Sequence, residues 1–248
     1  MVGQPVLAWS LASAREACAG VVAVLPESVR PQSVRPESVR PESVRPQSGE
    51  PESGGDGSLV PRTDRSGCRG AGTDGGGFEV AWEADVIVAG GPSRSASVRA
   101  GLAAVPADVE IIAVHDAARP LVPLSVWTAV LDAVAGGADA AIPVLAVTDT
   151  VKEVATDGTL RTLDRSRLVA VQTPQAFRAS ILRRAHSAGT DATDDAALVE
   201  AFGGRVQRVP GSRRSAKITD PEDLVVAAAL IGGTRSAGSG SDHREGST

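Results

Sequence analysis

Tyrosine is absent from this chain, and phenylalanine and tryptophan supply only three residues each among 248. The core must therefore be built from Val, Leu, Ile and Ala, which suits buried strands and the helices that cover them. Cysteine is nearly absent too. Cys18 and Cys68 stand in unrelated contexts, with neither a disulfide framework nor a metal-binding spacing. No apolar run is long enough to span a bilayer, and no basic segment followed by an apolar one opens the chain, so a soluble cytoplasmic protein is expected. Basic residues do not dominate: 25 Lys and Arg face 30 Asp and Glu, a net charge of −5. That balance argues against a general nucleic-acid binder while leaving room for a local basic pocket for a phosphorylated small molecule.

What is present falls into three compositional zones. Ser-Val-Arg-Pro recurs at Ser28–Pro31, Ser33–Pro36, Ser38–Pro41 and Ser43–Pro46. Proline at every fifth position blocks helix and sheet ladders alike, and the repeats carry too little apolar surface to fold. Residues 27–77 are accordingly expected to be a disordered insertion, and 232–248 a Gly/Ser tail. Residues 1–26 and 78–231 form the expected folded domain.

Within that domain the spacing predicts a helix over Val6–Ala17, with Leu7, Leu11 and Ala14 on one face, and strands at Gly20–Leu25 and Ala84–Ala89. Further helices are expected at Ser95–Ala104 and Pro123–Ala135, and strands at Ile111–His115 and Ala140–Val144. Residues 147–170 are polar and β-branched and read as an extended arm. A helix over Arg178–Ser187 follows, then a second near Thr193, where Thr193 can cap and Asp194 and Asp195 suit the positive end of the helix dipole, then a strand at Arg205–Val209 and a closing helix at Pro221–Ile231. Strands alternating with helices predict an α/β fold with a mainly parallel sheet and a protruding β-arm.

The segment Val114–Pro120, Val-His-Asp-Ala-Ala-Arg-Pro, ends an apolar strand in a carboxylate and a guanidinium. In open α/β folds, ligands bind at that edge of the sheet. Asp116 there can hold a divalent metal, and Arg119 can grip a phosphate with its fork of donors. Gly90-Gly91-Pro92-Ser93 turns into a helix whose first peptide N–H groups suit an anionic or heterocyclic ligand. Polar clusters recur at Thr148–Lys152, Thr162–Ser166, Gln172–Phe177 and Ala216–Leu224. Each of them alone is also the ordinary composition of a solvated loop.

Taken in order, His-Asp-Ala-Ala-Arg-Pro, Asp-Thr-Val-Lys, Asp-Arg, Gln-Thr-Pro-Gln-Ala-Phe, Thr-Asp-Asp and Lys-Ile-Thr-x-Pro-Glu-Asp-Leu resemble the 2-C-methyl-D-erythritol 4-phosphate cytidylyltransferases. The resemblance covers residues 2–25 and 84–231. It implies a Rossmann-like nucleotidyltransferase fold and the transfer of a cytidylyl group from CTP to methylerythritol phosphate, with release of pyrophosphate, in non-mevalonate isoprenoid synthesis. By the same resemblance Asp116, Lys217 and Arg165 would be catalytic, and Asp116 would meet a divalent metal, Mg2+ being expected. Gly90, Gly91, Arg94 and Ser97 would bind the nucleotide. Asp116, Arg119, Thr150, Arg165, Thr173, Thr193 and Lys217 would hold the polyol phosphate. The arm at 148–170 would reach into a second copy of the chain, so that Arg165 acts across a homodimer.

The family opens with a strand and a loop of the type Pro-Ala-Ala-Gly-x-Gly-x-Arg, then Pro-Lys. Residues 1–248 hold no counterpart, and Gly3-Gln4-Pro5-Val6-Leu7 resembles the segment just beyond it. Neighbours of that central strand are expected to lose ladder partners, at about 1–3 kcal/mol for each buried group left unpaired. Turnover by these residues is expected to be poor or absent. Pro92, which has no N–H, stands where an acidic or small polar residue is common, so one base contact is expected to be missing. A non-catalytic relative and a ribitol phosphate cytidylyltransferase are the alternative readings.

Overall fold

The structure is a computed structural model that describes residues 6–26, 84–189, 192 and 194–236. The Ser-Val-Arg-Pro repeats, the expected insertion as a whole, Thr193 and residues 237–248 lie outside the described residues. Helix α1 (Val6–Ala17) leads into β1 (Val22–Leu25), which pairs in parallel with β2 (Val86–Ala89), from Val22 opposite Val86 to Leu25 opposite Ala89. Helix α2 (Arg94–Ala104) packs on this pair at close range. A Cβ on Gly101 would come within 2.9 Å of Val24 Cγ2, so the absence of a side chain sets the helix-to-strand distance.

A five-stranded sheet forms the rest of the domain. It comprises β3 (Ile111–Val114), β4 (Ala140–Ala146), β7 (Val169–Val171), β8 (Gln175–Arg178) and β9 (Val206–Pro210), with β5 (Lys152–Val154) and β6 (Leu160–Thr162) forming a separate hairpin. Helices α3 (Leu124–Ala135), α4 (Ala179–Ser187), α5 (Asp195–Ala201) and α6 (Pro221–Ser236) complete it. Helix α3 buries Val126, Val130 and Val134 together with Trp127, the stripe that a 3.6-residue period dictates. Ala140, Ala141, Ala176, Phe177 and Leu182 are fully inaccessible at the centre. Small alanines on facing strands let helices pack closely where aromatics are scarce.

The sheet is mixed, which corrects the expectation of mainly parallel pairing. Strand β4 runs parallel to β9 but antiparallel to both β7 and β8, and β3 is antiparallel to β8. A parallel return needs a crossover of a dozen or more residues, usually a helix. Here the chain leaves β4 through the β5–β6 arm and comes straight back as β7 and β8. Strand β8 itself was not foreseen, because Gln175–Arg178 follows a proline and is too short to show alternation. Helix α5 is capped by Asp194, whose carboxylate accepts from Ala197 N at 2.8 Å, rather than by Thr193. Helix α6 runs on to Ser236 instead of ending at Ile231, since a glycine inside a helix costs only about 1 kcal/mol.

Among the described residues no strand joins β1–β2 to β3. The two sheets are tied through helices instead. Ala14, Ala17 and Cys18 pack with Ala113, Val122, Val126 and Trp127, and Ser10 Oγ donates to Ala117 O at 2.6 Å.

Candidate active site

The turn that follows β3 is pinned at each of its carbonyls. Arg119 N donates to Asp116 O, and Ile218 N to Ala118 O. Ser10 Oγ donates to Ala117 O, and the His115 ring faces Arg119 O at 3.2 Å through Nε2. The amide of Asp116 donates to Thr173 Oγ1 at 3.0 Å. These partners come from α1, the residue just after β3, the segment before β8 and the segment before α6, so the turn is held from several directions at once.

Its side chains form the charged centre. Asp116 Oδ2 lies 3.3 Å from Lys217 Nζ and 3.6 Å from Arg119 Nε. Arg119 Nη1 also donates to Ser215 O at 2.7 Å. Burial pushes the Arg119 guanidinium below its ordinary value and the Asp116 carboxylate opposes that; an arginine remains charged at neutral pH throughout. One carboxylate between two cations leaves a surplus positive charge, which suits a phosphate. Asp116 keeps 22% of its side-chain surface and Lys217 48%, enough for a ligand to reach both. Lys217 is delivered by the segment after β9. Gln172 clamps that segment by donating to Ser212 O at 2.9 Å and accepting from Ser212 N at 3.0 Å.

A second cluster lies at the start of α2. Ser93 caps the helix, its hydroxyl accepting from Ala96 N, and Gly91 N donates to Ser97 Oγ at 3.1 Å. A Cβ on Gly91 would sit 2.5 Å from Ala96 Cβ, so this turn closes tightly only with glycine. Arg94 Nη2 donates to Asp195 Oδ2 at 2.8 Å, and His186 Nε2 meets Asp195 Oδ1 at 2.9 Å. Asp195 is fully buried. Burial raises its pKa, but hydrogen bonds from His186 and Arg94 outweigh that and hold it below the usual carboxylate range. Asp194 accepts from Gln175 Nε2 at 3.3 Å. The Asp194–Asp195 pair thus ties α2 to β8, one residue past the Thr173–Pro174 step that meets Asp116.

The arm stands apart. Arg165 Nη1 donates to Thr148 O at the base of the arm, and Thr150 is exposed. Among the described residues no hydrogen bond or ion pair brings Arg165 to Asp116. Val154 and Leu160 on the hairpin are more than half exposed. Of the residues singled out from sequence, Asp116, Arg119, Thr173 and Lys217 converge. Gly90, Gly91, Arg94 and Ser97 form the neighbouring turn, Thr150 and Arg165 lie on the arm, and Thr193 falls outside the described residues. Ser10 and His186 were missed, and His115, Gln172 and Gln175 were read only as parts of their motifs. The Asp194–Asp195 pair was seen as a helix start, although adjacent carboxylates before a short helix also signal partners elsewhere.

No group of three His, Cys, Asp or Glu side chains gathers among the described residues. A lone carboxylate still fits Mg2+, which commonly takes one or two protein carboxylates and completes its shell with phosphates and water.

A family model described as 2-C-methyl-D-erythritol 4-phosphate cytidylyltransferase matches residues 78–233. The enzyme of that name from Streptomyces avermitilis is 49% identical over 154 residues, covering 59% of this chain and 62% of the relative. That from Rhodococcus jostii is 52% identical over 147 residues, covering 58% and 65%. The chain therefore spans less than two thirds of the length of these relatives. The crystal structure of the enzyme from Thermus thermophilus matches with a TM-score of 0.65 at 32% identity, over 92% of this chain and 90% of that one.

Proposed function

This chain belongs to the 2-C-methyl-D-erythritol 4-phosphate cytidylyltransferase family, with its α/β, Rossmann-like nucleotidyltransferase fold. From that premise we propose that its site transfers the cytidylyl group of CTP to methylerythritol phosphate in non-mevalonate isoprenoid synthesis. The observation that carries the reading is the Asp116–Lys217–Arg119 cluster at the end of β3. A substrate phosphate oxygen forms a bond to the α-phosphorus of CTP, and the bond from that phosphorus to the bridging oxygen breaks, releasing pyrophosphate. A phosphate is already ionised, so no base is needed, and the protein acts by positioning and by neutralising charge.

Lys217 and Arg119 bind the incoming phosphate as a pair of cations. Asp116 orients both and accepts from the polyol hydroxyls. Gly90, Gly91 and Ser97 line the base, with Arg94 beside them. Asp116 would hold a divalent ion, Mg2+ by preference, which would supply charge neutralisation on the triphosphate when bound. Thr150 and Arg165 act from the arm of a second copy, and Thr173 and Thr193 complete the phosphate side. The exposed Val154 and Leu160 support a homodimer through the arm, because apolar residues on a hairpin without a core of its own gain from being covered. No described helix is long and apolar enough to cross a membrane.

The test is pyrophosphate release from CTP, with methylerythritol phosphate and with ribitol phosphate as separate acceptors. Release that requires methylerythritol phosphate and disappears in Asp116→Asn supports the proposal. Equal release with ribitol phosphate shifts the substrate, and acceptor binding without any release favours a non-catalytic relative. Either result overturns the proposal as stated.

A further inference from the structure

We infer that His115 is a positioning residue of this site, fixing the Asp116–Arg119 turn through a hydrogen-bond relay of a single polarity. The inference deepens the proposed transfer reading and rests on it. The relay begins at Arg119 O, which can only accept, so the Nε2 facing it at 3.2 Å carries the ring hydrogen. Nδ1 then accepts, and the Thr173 hydroxyl, 3.0 Å away, donates to it. The same hydroxyl oxygen accepts from Asp116 N at 3.0 Å. A ring with hydrogen on both nitrogens would leave the Thr173 O–H without this acceptor. The reversed tautomer would set Nε2 against the carbonyl lone pairs.

The ring is also held as a body. It lies against Trp127, with centroids 5.0 Å apart and planes inclined at 55°, and Trp127 is 1% exposed on α3. His115 therefore fastens the first and last residues of the turn at once: Arg119 directly, and Asp116 through Thr173. Both turn residues carry the charged groups proposed to grip the acceptor phosphate. A wrongly placed turn misaligns the acceptor but leaves the Gly90–Ser97 turn, which hangs from β2 and α2, where it was. The relay consequently predicts an asymmetry between the two substrates that general destabilisation does not produce.

The experiment has two arms, both on the full chain. Imidazole nitrogen–proton correlation spectroscopy at neutral pH reads the tautomer without needing turnover. His115 is expected to carry its hydrogen on Nε2, and Thr173→Val is expected to shift its Nδ1 resonance. Hydrogen on Nδ1, or rapid averaging of the two tautomers, would overturn the inference. Steady-state kinetics form the second arm, with His115→Leu removing both bonds and His115→Gln keeping a donor within reach of Arg119 O. The Leu variant is expected to lose ~10–100-fold in kcat, as sub-ångström to ångström misplacement does. Its KM should rise more for methylerythritol phosphate than for CTP, whose base turn the variant leaves in place, and the Gln variant should recover part of the loss. Equal effects on both KM values, or no rescue by Gln, would contradict positioning. If Leu prevents folding, His115→Asn, too short to reach Arg119 O, and His115→Gln carry the comparison. Absence of turnover in the unaltered chain would sink the transfer reading while the tautomer still decides the relay.

Discussion

Asp195 is the point at which a single substitution should reveal how the two halves of the site are joined. Its carboxylate is fully buried and accepts from Arg94 at 2.8 Å and His186 at 2.9 Å. Asp195→Asn keeps the shape and removes the charge. Removing one partner of a buried pair costs about 3–5 kcal/mol. Arg94 retains 35% of its side-chain surface, so water recovers part of its solvation and the expected loss is smaller, about 2–3 kcal/mol. With a urea slope of about 1–3 kcal/mol per molar, the unfolding midpoint at pH 7 should fall by roughly 1 M.

The pH dependence has a definite sign. The folded pKa lies below the ordinary aspartate value of 3.8, so on acidification the unfolded chain takes up the proton first. Stability from the ionised group is complete above the unfolded value and is lost as pH falls through the folded one. The gap between the wild type and Asp195→Asn should therefore hold steady from pH 8 to about 5 and narrow below about 4. A gap under about 0.5 kcal/mol at pH 7 would refute the buried-pair reasoning, as would one that widens in acid.

Three other perturbations separate the parts of the site. Gly91→Ala places a Cβ 2.5 Å from Ala96 Cβ; the turn must shift, at about 1–3 kcal/mol, and CTP affinity measured by equilibrium dialysis should drop. Unchanged affinity would remove the turn from the nucleotide pocket. Arg119→Met deletes the donor to Ser215 O as well as a cation, so it should cost both stability and phosphate affinity, read by thermal melts and calorimetry; loss of neither would show that Lys217 suffices. Val154→Asp with Leu160→Asp charges side chains that are 67% and 63% exposed. Sedimentation should report monomers with an unchanged melting temperature, whereas an intact dimer would place the interface elsewhere.

Local periodicity made much of the fold legible. Helix α1 lies where its spacing placed it, and the Val126–Val130–Val134 stripe of α3 faces the core as expected. Strand β8 was not legible, because four residues after a proline carry no period, and its antiparallel pairing, together with that of β7, makes the sheet mixed. The Asp116, Arg119 and Lys217 positions were legible through motif resemblance, yet their meeting depends on Gln172 holding the segment before α6, a long-range pairing that no local pattern encodes. His186 gave no signal at all: a single histidine late in a helix is unremarkable until the fold lays it against Asp195.

Calorimetric titration of methylerythritol phosphate into the chain and into Lys217→Met is the most direct test of the proposed acceptor grip. Lys217 Nζ stands 3.3 Å from Asp116 Oδ2 and is half exposed, so its removal should spare stability to within about 1 kcal/mol. Saturable one-to-one binding that weakens by about tenfold or more, the worth of a charge-assisted contact, is the predicted result. No saturable binding, or equal affinity in the two proteins, would contradict the assignment of this cluster to the substrate phosphate.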